Sequence, residues 1–170
     1  MNFESYIRDV PDFPQPGVLF KDITPLLANG VAYKAAIEEL AEFARDCDAQ
    51  VIVGPEARGY VVGAPLAHAT ECGFVPVRKR GKLPWQTIGV DYALEYGTDR
   101  LEVHRDAVLP GQRVLLADDL LATGGTMEAC ATLVRELGGI VVGAAFLIEL
   151  SHLGGRARLQ NTRIKTLVQF

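Results

Sequence analysis

Polar and apolar positions along the chain follow two periods. After Asn29-Gly30, the residues Tyr33, Ile37, Leu40, Phe43 and Ala44 recur every three or four positions, with Glu38, Glu39 and Glu42 between them. That spacing predicts an amphipathic helix to about residue 46. Residues 51–54, VIVG, form a short apolar run closed by a proline, the pattern of a buried strand. A helix is expected over 59–71 and a strand over 74–77 (FVPV). RVLLA at 113–117 predicts a further strand, and residues 125–137 a helix that stops at Gly138-Gly139. IVVGAAFLI at 140–148 reads as another buried strand, and 163–169 as a last one. Strand and helix alternate, so the expected class is α/β, a central mostly parallel sheet flanked by helices.

Two stretches follow neither period. The first thirty residues are punctuated by Pro11, Pro14, Pro16 and Pro25, which excludes one long helix. They also carry Phe13, Val18, Leu19, Phe20 and Ile23, so the segment is expected to lie extended over an apolar surface. Residues 80–100 hold Gly81, Pro84, Gly89 and Gly97 among polar and aromatic side chains. They read as a long mobile loop with strand character at its edges, and loops of that length are usually functional. No repeat, low-complexity tract or linker divides the 170 residues, so 1–170 is read as a single domain.

Composition narrows the classes further. With 49% apolar and 22% charged residues, the chain matches a soluble globular domain. No run approaches the roughly 20 apolar residues of a membrane span, and MNFESYIRDVPDF lacks the apolar core of a secretory signal. Cys47, Cys72 and Cys130 are far apart and fit no metal-ligand spacing. They are expected to be buried free thiols in a reducing compartment, hence a cytoplasmic protein with no membrane partner. A net charge of −4 argues against nucleic acid as a partner. Against that background the cluster Arg78, Lys79, Arg80 and Lys82 is either a solvated loop or a seat for a small polyanion.

The densest chemistry lies in LLADDLLATGGT, residues 115–126. A loop of small residues between a strand and a helix lets backbone amides approach a phosphate, with the helix N-terminus adding favourable partial charge. Thr123 and Thr126 add hydroxyl donors. Asp118 and Asp119 only accept hydrogen bonds, so they suit hydroxyls or a metal rather than a phosphate. A 5-phosphorylated ribose satisfies both halves. A Walker reading of the acidic pair fails, because Gly54-Pro55-Glu56-Ala57-Arg58-Gly59 continues with Tyr60 and Val61 instead of Lys and Ser/Thr. The dinucleotide motif G-x-G-x-x-G after an early strand is also absent.

RVLLADDLLATGGT closely resembles the phosphoribosyl-pyrophosphate (PRPP) signature of the type I phosphoribosyltransferases, and LLATGGT is closest to members that use adenine. The resemblance covers nearly the whole chain. It implies that Asp118 and Asp119 hold the ribose hydroxyls of PRPP, and that Ala122, Thr123, Gly124, Gly125 and Thr126 grip the 5-phosphate. PDFPQPGVLFKDITPLL at 11–27 resembles the segment that covers the base, so residues 1–30 and the 80–100 loop would form a hood. Main-chain groups of Leu19 and Lys21 would read the purine edge there; without the resemblance, a proline-rich arm covering the core is the alternative. GPEARGY at 54–60 resembles a pyrophosphate loop with a cis peptide, which implies this role for Arg58 and a cis bond at Glu56-Ala57. VRKRGKLP at 77–84 places Lys79 and Lys82 on the diphosphate. DYALEYGTDRLEVH at 91–104 resembles a flexible catalytic loop in which Glu95 and Tyr96 are the functional pair. Glu95 would handle the purine proton, or be an exposed loop acid. Leu150 either packs on the base or belongs to the core.

The implied reaction joins adenine to PRPP, yielding AMP and pyrophosphate, with catalytic weight on Glu95 and Arg58. Mg²⁺ is the implied cofactor, bound mainly through PRPP with no direct protein ligand. A homodimer is implied by the resemblance alone. The competing readings are a sister transferase for xanthine, hypoxanthine or orotate, and a PRPP- or purine-sensing regulator. The regulator is disfavoured because the thirty residues before the first clear helix contain no helix-turn-helix pattern.

Overall fold

A computed structural model of the chain describes residues 1–93 and 98–170. Its centre is a seven-stranded sheet. In chain order the strands are β3 (Val51–Pro55), β4 (Gly73–Lys79), β5 (Thr87–Ala93), β6 (Thr98–His104), β7 (Arg113–Leu121), β8 (Ile140–Glu149) and β9 (Ile164–Gln169). Their spatial order is β5-β6-β4-β3-β7-β8-β9. The five from β4 to β9 run parallel, and the β5–β6 hairpin adds to the β4 edge antiparallel. A separate two-stranded hairpin, β1 (Arg8–Pro11) with β2 (Leu19–Asp22), precedes the short helix α1 (Thr24–Ala28).

Alternation along each strand divides the core between the two faces of the sheet. Ile52, Leu115, Ala117, Ala145 and Leu147 point to the face covered by α2 (Gly30–Asp46) and α3 (Arg58–Thr70). Val51, Val53, Val114, Leu116, Ala144 and Phe146 point to the face covered by α4 (Gly125–Glu136). Asn29 caps α2, its side chain accepting from the Ala32 amide at 3.0 Å. From β3 the chain turns through α3 to β4 on one side, and from β7 through α4 to β8 on the other. The crevice between the C-terminal ends of β3 and β7 is therefore a topological switch point, where such sheets hold their ligands.

The expected mostly parallel sheet with flanking helices is present, but three local expectations change. Residues 87–93 and 98–100 of the 80–100 segment are strand rather than loop, because β5 and β6 pair antiparallel there. Leu101 and Val103 are buried on the α4 face with Ile88, Val90 and Tyr92 packed against them. Gly89 is not a breaker: a Cβ there would come within 2.7 Å of Arg100 Nε, so the glycine leaves room for the neighbouring guanidinium. The N-terminal arm does not lie flat on the core either. Phe13 and Leu19 are both 51% exposed, and Phe13 packs edge-on against Phe20 with ring centroids 5.1 Å apart. Finally, β7 continues past residue 117 to Leu121, because Asp118, Leu120 and Leu121 pair with Phe146, Ile148 and Glu149 of β8. The acidic pair thus sits inside a rigid strand. All three cysteines are free, with Cys47 and Cys130 buried but Cys72 only partly so. No helix among the described residues is long and apolar enough to cross a membrane.

Candidate active site

Two adjoining cavities open at the switch point. One, of about 150 Å³, is lined by Arg58, Asp118, Asp119 and the whole stretch from Leu120 to Met127. The other, of about 140 Å³, is lined by residues 55–58, Lys79, Tyr92, Leu101, Asp118, Asp119 and Thr126. Arg58, Asp118, Asp119 and Thr126 belong to both, so the cavities are two compartments of one site. A groove of about 530 Å³ over α2 is roomier, but Glu38, Glu39, Glu42 and Asp46 line it. Its acidic wall would repel a phosphate.

Local geometry explains the first compartment. Gly124 adopts φ +83°, a left-handed conformation that favours glycine, and serves as the N-cap of α4. The chain therefore turns sharply from β7 into the helix, and Gly125, Thr126 and Met127 of its first turn line the cavity. Asp118 accepts a hydrogen bond from the Asp119 amide at 2.9 Å. Burial and then the neighbouring Asp119 charge push the Asp118 carboxyl well above the usual range. Burial also raises Asp119, and Arg58 opposes that rise, its Nη1 lying 3.1 Å from the Asp119 carboxylate. Two carboxylates held together at the end of a buried strand form an acceptor site in want of donors.

The second compartment is framed by the loop after β3. The Glu56–Ala57 peptide is cis, at the position the resemblance implied, and Phe13–Pro14 is cis as well. Glu56 ties this loop to the end of β4, accepting from the Lys79 amide at 2.7 Å and from Arg78 Nε at 2.9 Å. Arg78 is thereby engaged in holding the loop. Lys79 points its ammonium at Asp99 of β6, 3.1 Å away, and that hydrogen bond raises its pKa above the ordinary lysine value. Each cation at the site thus rests on an internal carboxylate, Arg58 on Asp119 and Lys79 on Asp99.

The structure brings together Asp118, Asp119, Ala122, Thr123, Gly124, Gly125, Thr126, Arg58 and Lys79. Lys82 is exposed and is not among the residues lining either compartment. Leu19 is exposed, and the Lys21 ammonium pairs with Asp9 at 2.6 Å and lies 3.8 Å from the Phe170 ring centroid. Only the main chain of these two residues was expected to act. One edge of β2 pairs with β1, and in this two-stranded sheet its other edge has no strand partner. Leu150 is partly buried against the α2–α3 core, its amide donating to the Leu121 carbonyl at 2.9 Å. Glu95 and Tyr96 lie outside the described residues.

Sequence reasoning missed Phe20, Tyr92 and Asp99. Phe20 places its ring 5.8 Å from the Arg58 guanidinium, which links the N-terminal hairpin to the site. Its only sequence signal is an aromatic within an otherwise proline-broken arm. Asp99 and Tyr92 reach the site because β5 and β6 are strands, and reading that stretch as a loop hid them.

A small-residue loop leading into a helix and an acidic pair, Asp119 buried and Asp118 partly so, set side by side at the switch point of a doubly wound sheet, have the chemistry to suit a phosphorylated pentose. Residues 27–167 match the family model described as phosphoribosyl transferase domain. The adenine phosphoribosyltransferase of Brevibacillus brevis is 63% identical over 170 residues, the full length of both chains. The crystal structure of adenine phosphoribosyltransferase from Thermoanaerobacter pseudethanolicus superposes with a TM-score of 0.95 at 53% identity, covering 99% of this chain and 98% of that one. The Saccharomyces cerevisiae enzyme, complexed with an imino-altritol bisphosphate and adenine, gives 0.91 at 36% identity, covering 97% and 96%. This chain belongs to the phosphoribosyltransferase family, within its adenine phosphoribosyltransferases.

Proposed function

We propose that the chain, acting as one phosphoribosyltransferase unit over 1–170, converts adenine and PRPP to AMP and pyrophosphate. The observation that carries this reading is the shared lining of the two compartments. One end suits a phosphate, the other a diphosphate, and the carboxylates between them suit a sugar diol.

Asp118 and Asp119 accept from the ribose 2- and 3-hydroxyls and fix the ring. Residues 122–126 donate amides and hydroxyls to the 5-phosphate. Arg58 and Lys79 leave their internal carboxylates for the diphosphate, with Lys82 approaching from the loop after β4. Cleavage of the C1–oxygen bond releases pyrophosphate and develops positive charge on the ribose, which the nearby carboxylates favour. Purine N9 then attacks the opposite face of C1 with inversion, while Glu95, which forms the functional pair with Tyr96, handles the purine proton. Water kept out of the closed site cannot capture the sugar. The unpaired edge of β2 offers main-chain donors and acceptors to the base at Leu19 and Lys21, and Phe20 and Leu150 give it apolar surface. A 6-oxo purine reverses the donor and acceptor pattern, and each mismatched buried group costs about 1–3 kcal/mol.

Among the described residues no three His, Cys, Asp or Glu side chains gather at metal-ligand spacing. The hard oxygens of Asp118 and Asp119 nonetheless fit an ion that takes most of its ligands from water and phosphate. Mg²⁺ carried on PRPP would supply charge neutralisation to the leaving diphosphate. The three free thiols suit the cytoplasm, and the family resemblance suits a homodimer.

Pyrophosphate release tests the proposal, with Mg²⁺, PRPP and adenine, hypoxanthine, xanthine or orotate offered singly. Release with adenine at least tenfold faster than with the others is expected; release with none of the bases refutes a transferase, and hypoxanthine as the fastest base assigns a sister enzyme.

A further inference from the structure

Against the 122–126 loop lies a turn that lines neither compartment and that the proposed reaction leaves without a role. After β8 the chain passes through a short turn, Ser151–Leu153, and then a second, Gly155–Arg158. Gly155 is buried with its main chain directly on the loop. A Cβ at Gly155 would fall 2.2 Å from the Ala122 carbonyl oxygen and 3.0 Å from Leu121 Cδ1. A Cβ at Gly124 would fall 2.6 Å from the Gly155 carbonyl oxygen and 3.3 Å from Arg158 Cβ. Backbone therefore meets backbone, and the position of this turn sets the position of residues 122–124.

The firmest side-chain tie of the turn is at Arg156. Arg156 donates two parallel hydrogen bonds to Glu149, Nε to Oε1 at 2.7 Å and Nη2 to Oε2 at 2.6 Å. Glu149 is only 4% exposed at the end of β8, and it also accepts from Thr166 Oγ1 at 3.2 Å and Gln169 Nε2 at 3.1 Å, both on β9. A paired fork of this kind fixes geometry as well as distance. The contact between Arg158 and Glu128 at 2.8 Å joins the same turn to α4, but both partners are about half exposed and the pair is correspondingly weak.

We propose that the Glu149–Arg156 pair is a positioning device for the 5-phosphate of PRPP: it seats the Gly155–Arg158 turn against residues 122–124, so that the loop amides keep their spacing. The inference rests on the transferase reading and deepens it, assigning two residues that touch no substrate to the strength of phosphoribose binding. The Arg156 hydrogen bonds hold the Glu149 carboxyl below its usual range, so the fork stays charged at neutral pH.

Three variants test it. Arg156→Gln removes the fork from a side chain that is 44% exposed, so no core cavity opens. Arg156→Lys keeps the charge but loses the bidentate geometry. Gly155→Ala leaves the pair intact and displaces the turn itself. The expected result is a KM for PRPP raised about tenfold in Arg156→Gln and in Gly155→Ala, with the KM for adenine within twofold of wild type and Arg156→Lys intermediate. A purely structural brace would lower the fraction of active enzyme, and so kcat, with both KM values unchanged; that pattern overturns the proposal. So does an unchanged KM for PRPP in both variants. If wild type forms no AMP, the transferase reading fails separately. Calorimetric titration with ribose 5-phosphate then still tests the pair: about tenfold weaker binding by Arg156→Gln supports it, and equal affinity overturns it.

Discussion

Replacing Asp118 by Asn should move stability and activity in opposite directions. Asn keeps the Oδ1 that accepts from the Asp119 amide at 2.9 Å, so the local backbone need not change. It removes a carboxyl whose pKa burial and the Asp119 charge push well up, a sign that the ionised form is disfavoured in the empty fold. An incompletely compensated buried polar group costs about 1–3 kcal/mol. Relieving that cost should raise Tm by about 2–12 °C at neutral pH, taking roughly 2–4 °C per kcal/mol for a chain of this size. The gain has a fixed pH sense. A native pKa above the unfolded value of about 3.9 means that the native state holds the proton more tightly, so wild-type stability declines as pH rises between the two values. The variant should therefore match wild type near pH 4 and exceed it at pH 7, as differential scanning fluorimetry across pH would show. Activity should fall, since a lost charge-assisted bond of about 1.5–3 kcal/mol lowers kcat/KM about 10- to 100-fold. Wild-type turnover in the variant would refute a ribose role for Asp118, and a lower Tm at pH 7 would refute the view that the pair is strained without ligand.

Other substitutions separate the parts of the site. Asp22→Ala removes acceptors for the Thr24 amide at 2.9 Å and for Arg8 at 2.8 Å, which fasten the N-terminal hairpin to α1. It should raise the KM for adenine but not for PRPP and lower stability by about 1 kcal/mol in urea titrations. The Thr24 amide depresses the Asp22 pKa, so this stabilisation is present above about pH 3.9 and is lost as pH falls through the lower native value. Gly124→Ala places a Cβ 2.6 Å from the Gly155 carbonyl oxygen at φ +83°; about 1–2 kcal/mol of stability should go, with a raised KM for PRPP in steady-state assays. Glu95→Gln should lower kcat more than PRPP affinity, and the reverse pattern would assign Glu95 to ground-state binding.

How far the sequence revealed the site depended on the range of each interaction. VIVG, RVLLA and IVVGAAFLI are apolar runs long enough to require burial, so β3, β7 and β8 were legible. The phosphate loop was legible because its small residues, its helix and its acidic pair are contiguous. The hairpin β5–β6 was missed because Gly89 and Pro84 were weighed as breakers. The alternation of Ile88, Val90 and Tyr92, and of Leu101 and Val103, was nevertheless present and is what packs on the α4 face. The extension of β7 through Asp118 and Asp119 depends on pairing with β8, about 30 residues away, and no local pattern encodes it. The same is true of Arg58 resting on Asp119, of Lys79 resting on Asp99, and of the Glu149 fork.

The acidic pair and the small-residue loop are read as facing two parts of one ligand. Calorimetric titration with ribose 5-phosphate, inorganic phosphate and ribose, each offered alone, tests that reading most directly. Ribose 5-phosphate should bind at least about tenfold more tightly than either fragment, since one more charge-assisted contact contributes about 1.5 kcal/mol or more. Inorganic phosphate binding as tightly as ribose 5-phosphate would contradict the account, for the carboxylates would then face no sugar.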